Sequence, residues 1–221
     1  MPVYLLGDDP IFPPVDGAEE GLVAVGGDLS VERLVVAYRN GLFPWYDEEA
    51  PILWHSPDPR WLVLPDSFRV PKRLQRTLKQ QPFRITRDQA FREVVTRCAE
   101  APRPDQEGTW IHPEMIDAYV ALHDAGWAHS VEAWSGERLV GGFYGVQVGS
   151  MFCGESMFAD EPDASKVAFA EIAQRLFEAG ATAIDCQTHT DHLERFGAVA
   201  RPRRTFLVML FKAREQAIDA W

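Results

Sequence analysis

A chain of 221 residues, 46% of them hydrophobic, is long enough for one large domain, or a domain with a smaller companion, around a real core. The formal net charge of -11 argues against general nucleic-acid affinity, although local clusters of Lys and Arg can overrule the total. Three scattered cysteines argue against a disulfide framework, and no stretch is apolar for long enough to span a bilayer, so the expected setting is the reducing cytoplasm, away from membranes.

In chain order, GLVAVGGDLS reads as a short strand ending in a glycine turn. Ser30 then caps a helix to about Asn40, with Leu34, Val35 and Tyr38 on one side and Gly41 just past its end. The Pro- and Trp-rich stretch LFPWYDEEAPILWHSPDPRWLVLP reads as ordered loop and extended segments, with a domain boundary near Arg60. Pro71 starts a basic helix with Leu74 and Leu78 inward, and FRIT forms a strand. Asp88 is expected to cap a helix in which Phe91, Val94, Val95 and Cys98 recur at helical spacing. GTWIHPEMIDAYVALHDAG gives a loop and a helix stopped at Gly126.

HSVEAWSGERLVGGFYGVQVGSMFCGESMF alternates apolar and polar residues around a Ser-Gly turn, which predicts an antiparallel meander of about three strands. The glycines of LVGGFYGVQVG are too many for ordinary strands and point to bulges or close backbone approach. Asp163 caps a helix to Ala179, with Val167, Ala170, Ile172 and Leu176 inward and Gly180 as its stop. TAIDCQ reads as a strand, THTDHLERFG as a turn and short helix, and RTFLVMLF as a final strand. The pattern is α+β, with a mixed sheet centred in the second half.

Glu155 is framed by Met151, Phe152, Met157 and Phe158, and a carboxylate in such company needs a partner. In TAIDCQ the strand period places Asp185 and Gln187 on one face. A carboxylate beside a carboxamide can hold an amine, since both accept hydrogen bonds and the amide also donates; the plainer alternative is that the two satisfy nearby backbone. Cys186, His189 and His192 have ligand chemistry but are one short of a structural zinc set, so no metal is expected. No base is placed beside Cys153 or Cys186, which leaves them as core thiols. Phosphate-cradling glycine motifs are absent from the sequence. The richest basic run, FRVPKRLQRTLKQQPFRITR, is a solvated face or a nucleic-acid contact.

GLVAVGGDLSVERLVVAYRNGLFPWY, PILWHSPDPR, EGTWI, AHSVEAW, LVGGFYGV, FCGESMF, ASK and IDCQ, in that order along nearly the whole chain, resemble the bacterial leucyl/phenylalanyl-tRNA–protein transferases. That resemblance implies transfer of Leu or Phe, with Met less favoured, from aminoacyl-tRNA to proteins or peptides beginning with Lys or Arg, marking them for N-end-rule degradation. It implies a small N-terminal α/β domain (1–60) and a C-terminal acetyltransferase-like (GNAT) domain (61–221) with a largely antiparallel mixed sheet. Catalytic positions map to Asp185, Gln187 and Glu155, and the 3′-adenosine site to Trp45, Tyr38 and Trp110. The aminoacyl side-chain pocket maps to Phe143, Phe152, Ile172, Leu176 and Ile184. Phe143 stands where the family often has Met, and Ala159 replaces a commoner serine.

An aminoacyl ester is already activated, so no cofactor is required, only a positioned amine. Gln187 with Asp185 is expected to orient that amine, with Asp185 assisting proton removal and Glu155 fixing the adenosine or completing the network. Lys72, Arg73 and Arg76 become the expected acceptor-stem contact, and the protein is expected to be a monomer. An acetyl-CoA-dependent N-acetyltransferase is the nearest rival, but ESMFADEPDASK offers no pyrophosphate loop. A non-enzymatic tRNA or peptide binder would leave Glu155, Asp185 and Gln187 without a task.

Overall fold

The computed structural model describes residues 3–15, 18–102 and 109–221; Glu107 and Gly108 of EGTWI lie outside them. Strands β1 (Tyr4–Leu6), β2 (Leu22–Gly26), β3 (Phe43–Pro44) and β4 (Leu53–His55) form one sheet in the order β1-β2-β4-β3. A second sheet takes β5 (Arg60–Val63), β6 (Arg84–Arg87), β7 (Ala128–Ser135), β8 (Arg138–Val148), β9 (Met151–Ala159), β10 (Ala183–Gln187) and β11 (Val199–Arg201) in the order β11-β5-β10-β9-β8-β7-β6. Both sheets are mixed: β1–β2 and β9–β10 are parallel and the other pairs antiparallel.

The glycines of the meander do what their number implied. A Cβ on Gly141 would lie 2.6 Å from the Ala164 methyl, so its absence lets the following helix sit against β8. The β8–β9 register shifts between Tyr144 and Gly145, which pair with Ser156 and Gly154 and leave Glu155 as the extra residue of a bulge in β9.

Seven α-helices lie among the described residues: α1 (Val31–Arg39), α2 (Lys72–Gln80), α3 (Phe91–Glu100), α4 (Pro113–Asp124), α5 (Ala164–Glu178), α6 (Asp191–Arg195) and α7 (Arg203–Ala213). Ser30 Oγ accepts from the Arg33 N–H at 3.3 Å and so caps α1. On one face of the large sheet α5 buries Phe169, Ile172 and Leu176 in a core with Phe143, Phe152 and Ile184. The other core joins Tyr38 of α1, Val94 of α3 and Tyr119 of α4 to Tyr144, Val146 and Cys153 of the large sheet. Val23 and Trp54 of the small sheet belong to this same core, so the two sheets share one apolar interior. Among the described residues no helix is long and apolar enough to cross a membrane.

Three local expectations need correction. RTFLVMLF is not a strand but the body of α7, which buries Phe206, Leu207, Leu210 and Ala213 and exposes Val208 and Phe211. A short apolar run satisfies both periods, and here the 3.6-residue one packs. Asp88 does not cap α3, whose N-cap is Ala90. Its carboxylate instead accepts from the Ser130 N–H at 2.8 Å and faces His129 Nδ1 at 2.8 Å, tying the end of β6 to β7. Asp163 does occupy the N-cap of α5, but its side chain caps nothing and pairs with Lys166 at 2.7 Å.

Candidate active site

The parallel pair β9–β10 is joined by the crossover helix α5, and its backbone register runs Ala183↔Met151, Ile184↔Phe152, Asp185↔Cys153. Past that point the parallel pairing stops, β10 ends while β9 runs on beside β8, and a crevice opens at the carboxyl end of β10, the usual side for a ligand in a sheet built this way. Glu155 and Gln187 each stand two residues beyond the last pair. Their side chains bridge the opening, with Gln187 Nε2 donating to Glu155 Oε1 at 2.7 Å. Gln187 has a left-handed backbone, φ 62°, where β10 shifts register against β5. The turn is held by Asp185 Oδ1, which accepts from the Gln187 N–H at 2.9 Å.

Asp185 is fully buried, and its partner is Arg60 at the start of β5. Arg60 Nε donates to Oδ1 at 2.8 Å and Nη2 to Oδ2 at 2.6 Å, a bidentate fork. Burial works against the Arg60 charge, but the Asp185 carboxylate more than offsets it, and the guanidinium pKa is raised. Arg60 also lies 5.0 Å from the Phe43 ring centroid and 4.4 Å from that of Phe206, so both ions are enclosed.

Glu155 has a second set of neighbours. Tyr119 OH donates to Oε2 at 3.2 Å, and the Tyr119 and Tyr38 hydroxyls hydrogen-bond to each other, so a phenol from α4 and one from α1 stand in line behind the carboxylate. Burial pushes the Glu155 pKa up to about 7; the two tyrosine hydroxyls pull it down, the Asp185 charge raises it, and Arg60 lowers it. Both phenols are pushed well above their ordinary range, first by burial and then by the Glu155 charge.

These polar groups open on a cavity of about 460 Å³. Phe143, Met157, Phe169, Ile184 and Leu193 give it apolar walls, Glu155, Asp185 and Gln187 line its polar side, and Trp45 and Trp110 also face it. The size and the few convergent polar groups are those of a small-molecule site. His192 lines it too; burial, then Lys166 and Arg195, lower its pKa to about 4, so the imidazole is neutral at pH 7.

The cavity thus gathers Glu155, Asp185, Gln187, Trp45, Trp110, Phe143 and Ile184, but leaves other candidates outside its lining. Tyr38 is buried behind Glu155, and Phe152, Ile172 and Leu176 lie in the core behind the apolar wall. Lys72, Arg73 and Arg76 are exposed on α2. Cys186 Sγ contacts Ile184 O at 3.8 Å, and among the described residues the groups with metal-binding spacing are Asp88, His123 and His129, and His189, Asp191 and Glu194. Neither contains Cys186. The Cys153 and Cys186 thiols are raised by burial and by the Asp185 charge, which disfavours the thiolate.

Sequence reasoning missed Arg60, Tyr119 and Phe169. Arg60 closes the motif PILWHSPDPR, but nothing local reveals a partner 125 positions away. Tyr119 sits at i+4 from Met115 and i−3 from Leu122 and so reads as one more core residue. Phe169 lies at i−3 from Ile172 on a face already recognised as inward, and was the position most open to discovery.

The family model described as leucyl/phenylalanyl-tRNA protein transferase matches residues 62–211, and that of its N-terminal domain matches residues 27–58. The chain is 55% identical over 217 residues to a leucyl/phenylalanyl-tRNA–protein transferase of Anaeromyxobacter dehalogenans (strain 2CP-C), covering 98% of this chain and 93% of that one. It is 54% identical over 219 residues to the protein of the same name from Myxococcus xanthus (strain DK1622), covering 98% and 94%. Among solved structures, that of L-PGS from Bacillus licheniformis aligns with a TM-score of 0.40 at 13% identity, over 73% of this chain and 50% of that one. With both family models spanning most of its length and relatives at this identity end to end, the chain belongs to the leucyl/phenylalanyl-tRNA protein transferase family and is an aminoacyltransferase.

Proposed function

We propose that this aminoacyltransferase moves Leu or Phe, and Met less readily, from aminoacyl-tRNA to the α-amino group of proteins beginning with Arg or Lys, marking them for N-end-rule degradation. The observation that carries the reading is the two-sided cavity, with Phe143, Met157, Phe169 and Ile184 on its apolar side and the Glu155–Gln187 bridge on its polar side. A bulky apolar aminoacyl group fits the first, and the ester carbonyl with the incoming amine fits the second. Trp45 and Trp110 supply aromatic surface for the terminal adenosine. Phe143 and Ile184 touch the aminoacyl group in this reading, with Phe152, Ile172 and Leu176 backing them.

In the reaction the amine lone pair attacks the ester carbonyl, the C–N bond forms, and the bond from the carbonyl carbon to the ribose oxygen breaks. The amine must shed a proton and the ribose oxygen must gain one. Gln187 orients the amine. Asp185 acts as an orienter, because both of its oxygens are committed to the Arg60 cation and one also to the Gln187 N–H, whereas the Glu155 oxygens meet only neutral donors. Glu155, with a pKa near 7, takes the amine proton and returns it toward the ribose oxygen. Tyr38 and Tyr119 hold that carboxylate in place.

The acceptor stem lies along α2 at Lys72, Arg73 and Arg76 in this reading, and the net negative charge favours acceptors with a cationic N-terminus. Residues 1–60 and 61–221 form two domains in this reading, the second of acetyltransferase type; the division into two sheets supports it, with β5 of the large sheet beginning at the boundary and one apolar interior joining the two. The protein works as a cytoplasmic monomer. The test mixes purified protein with radiolabelled Leu-tRNA and a peptide beginning with Arg, without ATP, acetyl-CoA or metal, beside a peptide beginning with Gly. Label on the Arg peptide alone is expected; no transfer from Leu-, Phe- or Met-tRNA by folded protein refutes the reading.

A further inference from the structure

The segment after α7 brings Trp221 back onto the face of the large sheet that α5 covers. Its ring stacks on His129 of β7, with centroids 4.4 Å apart and planes at 7°, and lies 5.1 Å from the ring of Phe152 on β9. Phe152 in turn meets Phe143 edge-on at 5.7 Å, and Phe143 lines the cavity. An unbroken line of rings therefore runs from His129 through Trp221 and Phe152 to the apolar wall. The outer end is anchored: Asp88 Oδ2 holds His129 Nδ1 at 2.8 Å, Trp221 Nε1 donates to Gln147 Oε1 at 3.2 Å, and Arg175 Nε donates to Ala220 O at 2.6 Å.

We propose that Trp221, which does not touch the cavity, is a positioning residue that sets the depth of the aminoacyl pocket by holding Phe152 against Phe143. The proposal rests on the reading of that cavity as the aminoacyl site. The wall needs such a support because β8 provides none at that point. Gly145 has no side chain where a Cβ would lie 2.7 Å from the Phe152 ring, so Phe152 fills the space over a bare strand and Trp221 closes its outer side. Without the indole, the Phe152 ring has room to retreat, Phe143 follows, and the pocket deepens. A deeper pocket favours the longer aromatic donor over the shorter branched one. Removing a neighbour of a packed wall changes discrimination between apolar side chains, the quantity most sensitive to pocket shape.

The test compares kcat/KM for Phe-tRNA and Leu-tRNA, using one peptide acceptor and one preparation of each full-length variant. The ratio is independent of the folded fraction, so a general loss of stability does not move it. Trp221→Ala is expected to raise the Phe:Leu ratio by about fivefold, an effect of the size that a small change in an apolar pocket produces. Trp221→Leu should shift it less in the same direction, and remains readable if Trp221→Ala fails to fold. Trp221→Phe should restore the ratio to within about twofold of the parent, because the ring is what braces. Phe143→Ala serves as the reference for the pocket itself. If Phe143→Ala shifts the ratio and neither Trp221→Ala nor Trp221→Leu does, the brace is overturned while the aminoacyl-site reading stands. If none shifts it, that reading fails and the brace fails with it.

Discussion

Asp185→Ala tests whether the cavity rests on the buried ion pair beneath it. The substitution removes both acceptors of the Arg60 fork and the acceptor of the Gln187 N–H, and leaves a guanidinium that is 1% exposed without its counter-charge. Breaking one side of such a pair costs about 3–5 kcal/mol, most of it the penalty of the orphaned charge. For a chain of this size that corresponds to a fall in Tm of roughly 10 °C. Arg60→Met combined with Asp185→Leu removes both charges and keeps apolar bulk against Phe43 and Phe206, so it should recover most of the loss. Urea denaturation of the parent, Arg60→Met, Asp185→Leu and the double variant gives a cycle whose coupling should reach about 2 kcal/mol or more. Transfer activity separates the two consequences. The double variant should be stable yet slow, because nothing then accepts from the Gln187 N–H to hold its left-handed turn. A cost below about 1 kcal/mol for Asp185→Ala, or a double variant as unstable as the sum of the singles, refutes the account of Asp185 as an anchored orienter.

Glu155 has a folded pKa of about 7, raised above the ordinary value of 4.5. Its contribution to stability is therefore fully present below about pH 4.5 and is lost as pH rises through 7. Partial exposure at the cavity wall limits the effect to about 1–2 kcal/mol. Melting curves should show Glu155→Gln gaining on the parent between pH 5 and 8, and the rise of kcat with pH through 7 should vanish in the variant. Equal pH dependence in the two proteins rules out the assignment of the proton acceptor. Lys72, Arg73 and Arg76 to Ala together should weaken Leu- and Phe-tRNA alike and lower the slope of log K against log salt by about 2, from roughly 0.7–0.9 per phosphate contact; an unchanged slope places the acceptor stem elsewhere. Gly141→Ala sets a methyl against Ala164 and the Ser165 N–H, which a Cβ would meet at 2.6 and 2.9 Å. It should displace the start of α5, from which Ser165 and Lys166 line the cavity, and lower both Tm and turnover; parent-like values for both disprove the close-packing role of this glycine.

What the sequence discloses about this protein divides along the reach of each interaction. The meander, the capped α1 and the inward face of α5 are legible because their signals lie within one element: alternation, a Ser before an apolar face, a 3.6-residue stripe. Glu155, Asp185 and Gln187 are legible for a related reason, since polar side chains framed by core residues are conspicuous where they stand. Their partners are not. The Arg60 fork joins residues 125 positions apart, the Tyr38–Tyr119 bond joins residues 81 apart, and Trp221 reaches Gln147 across 74. Each looks ordinary in its own neighbourhood. The mistaken strand at RTFLVMLF has the same origin, because only packing against the rest of the fold decides which period a short apolar run obeys. The strand pattern that sets Asp185 beside Gln187 likewise stops short of their partners. Periodicity placed them on one face, and the fold pairs Asp185 with Arg60 and Gln187 with Glu155, partners that no pattern within the strand discloses.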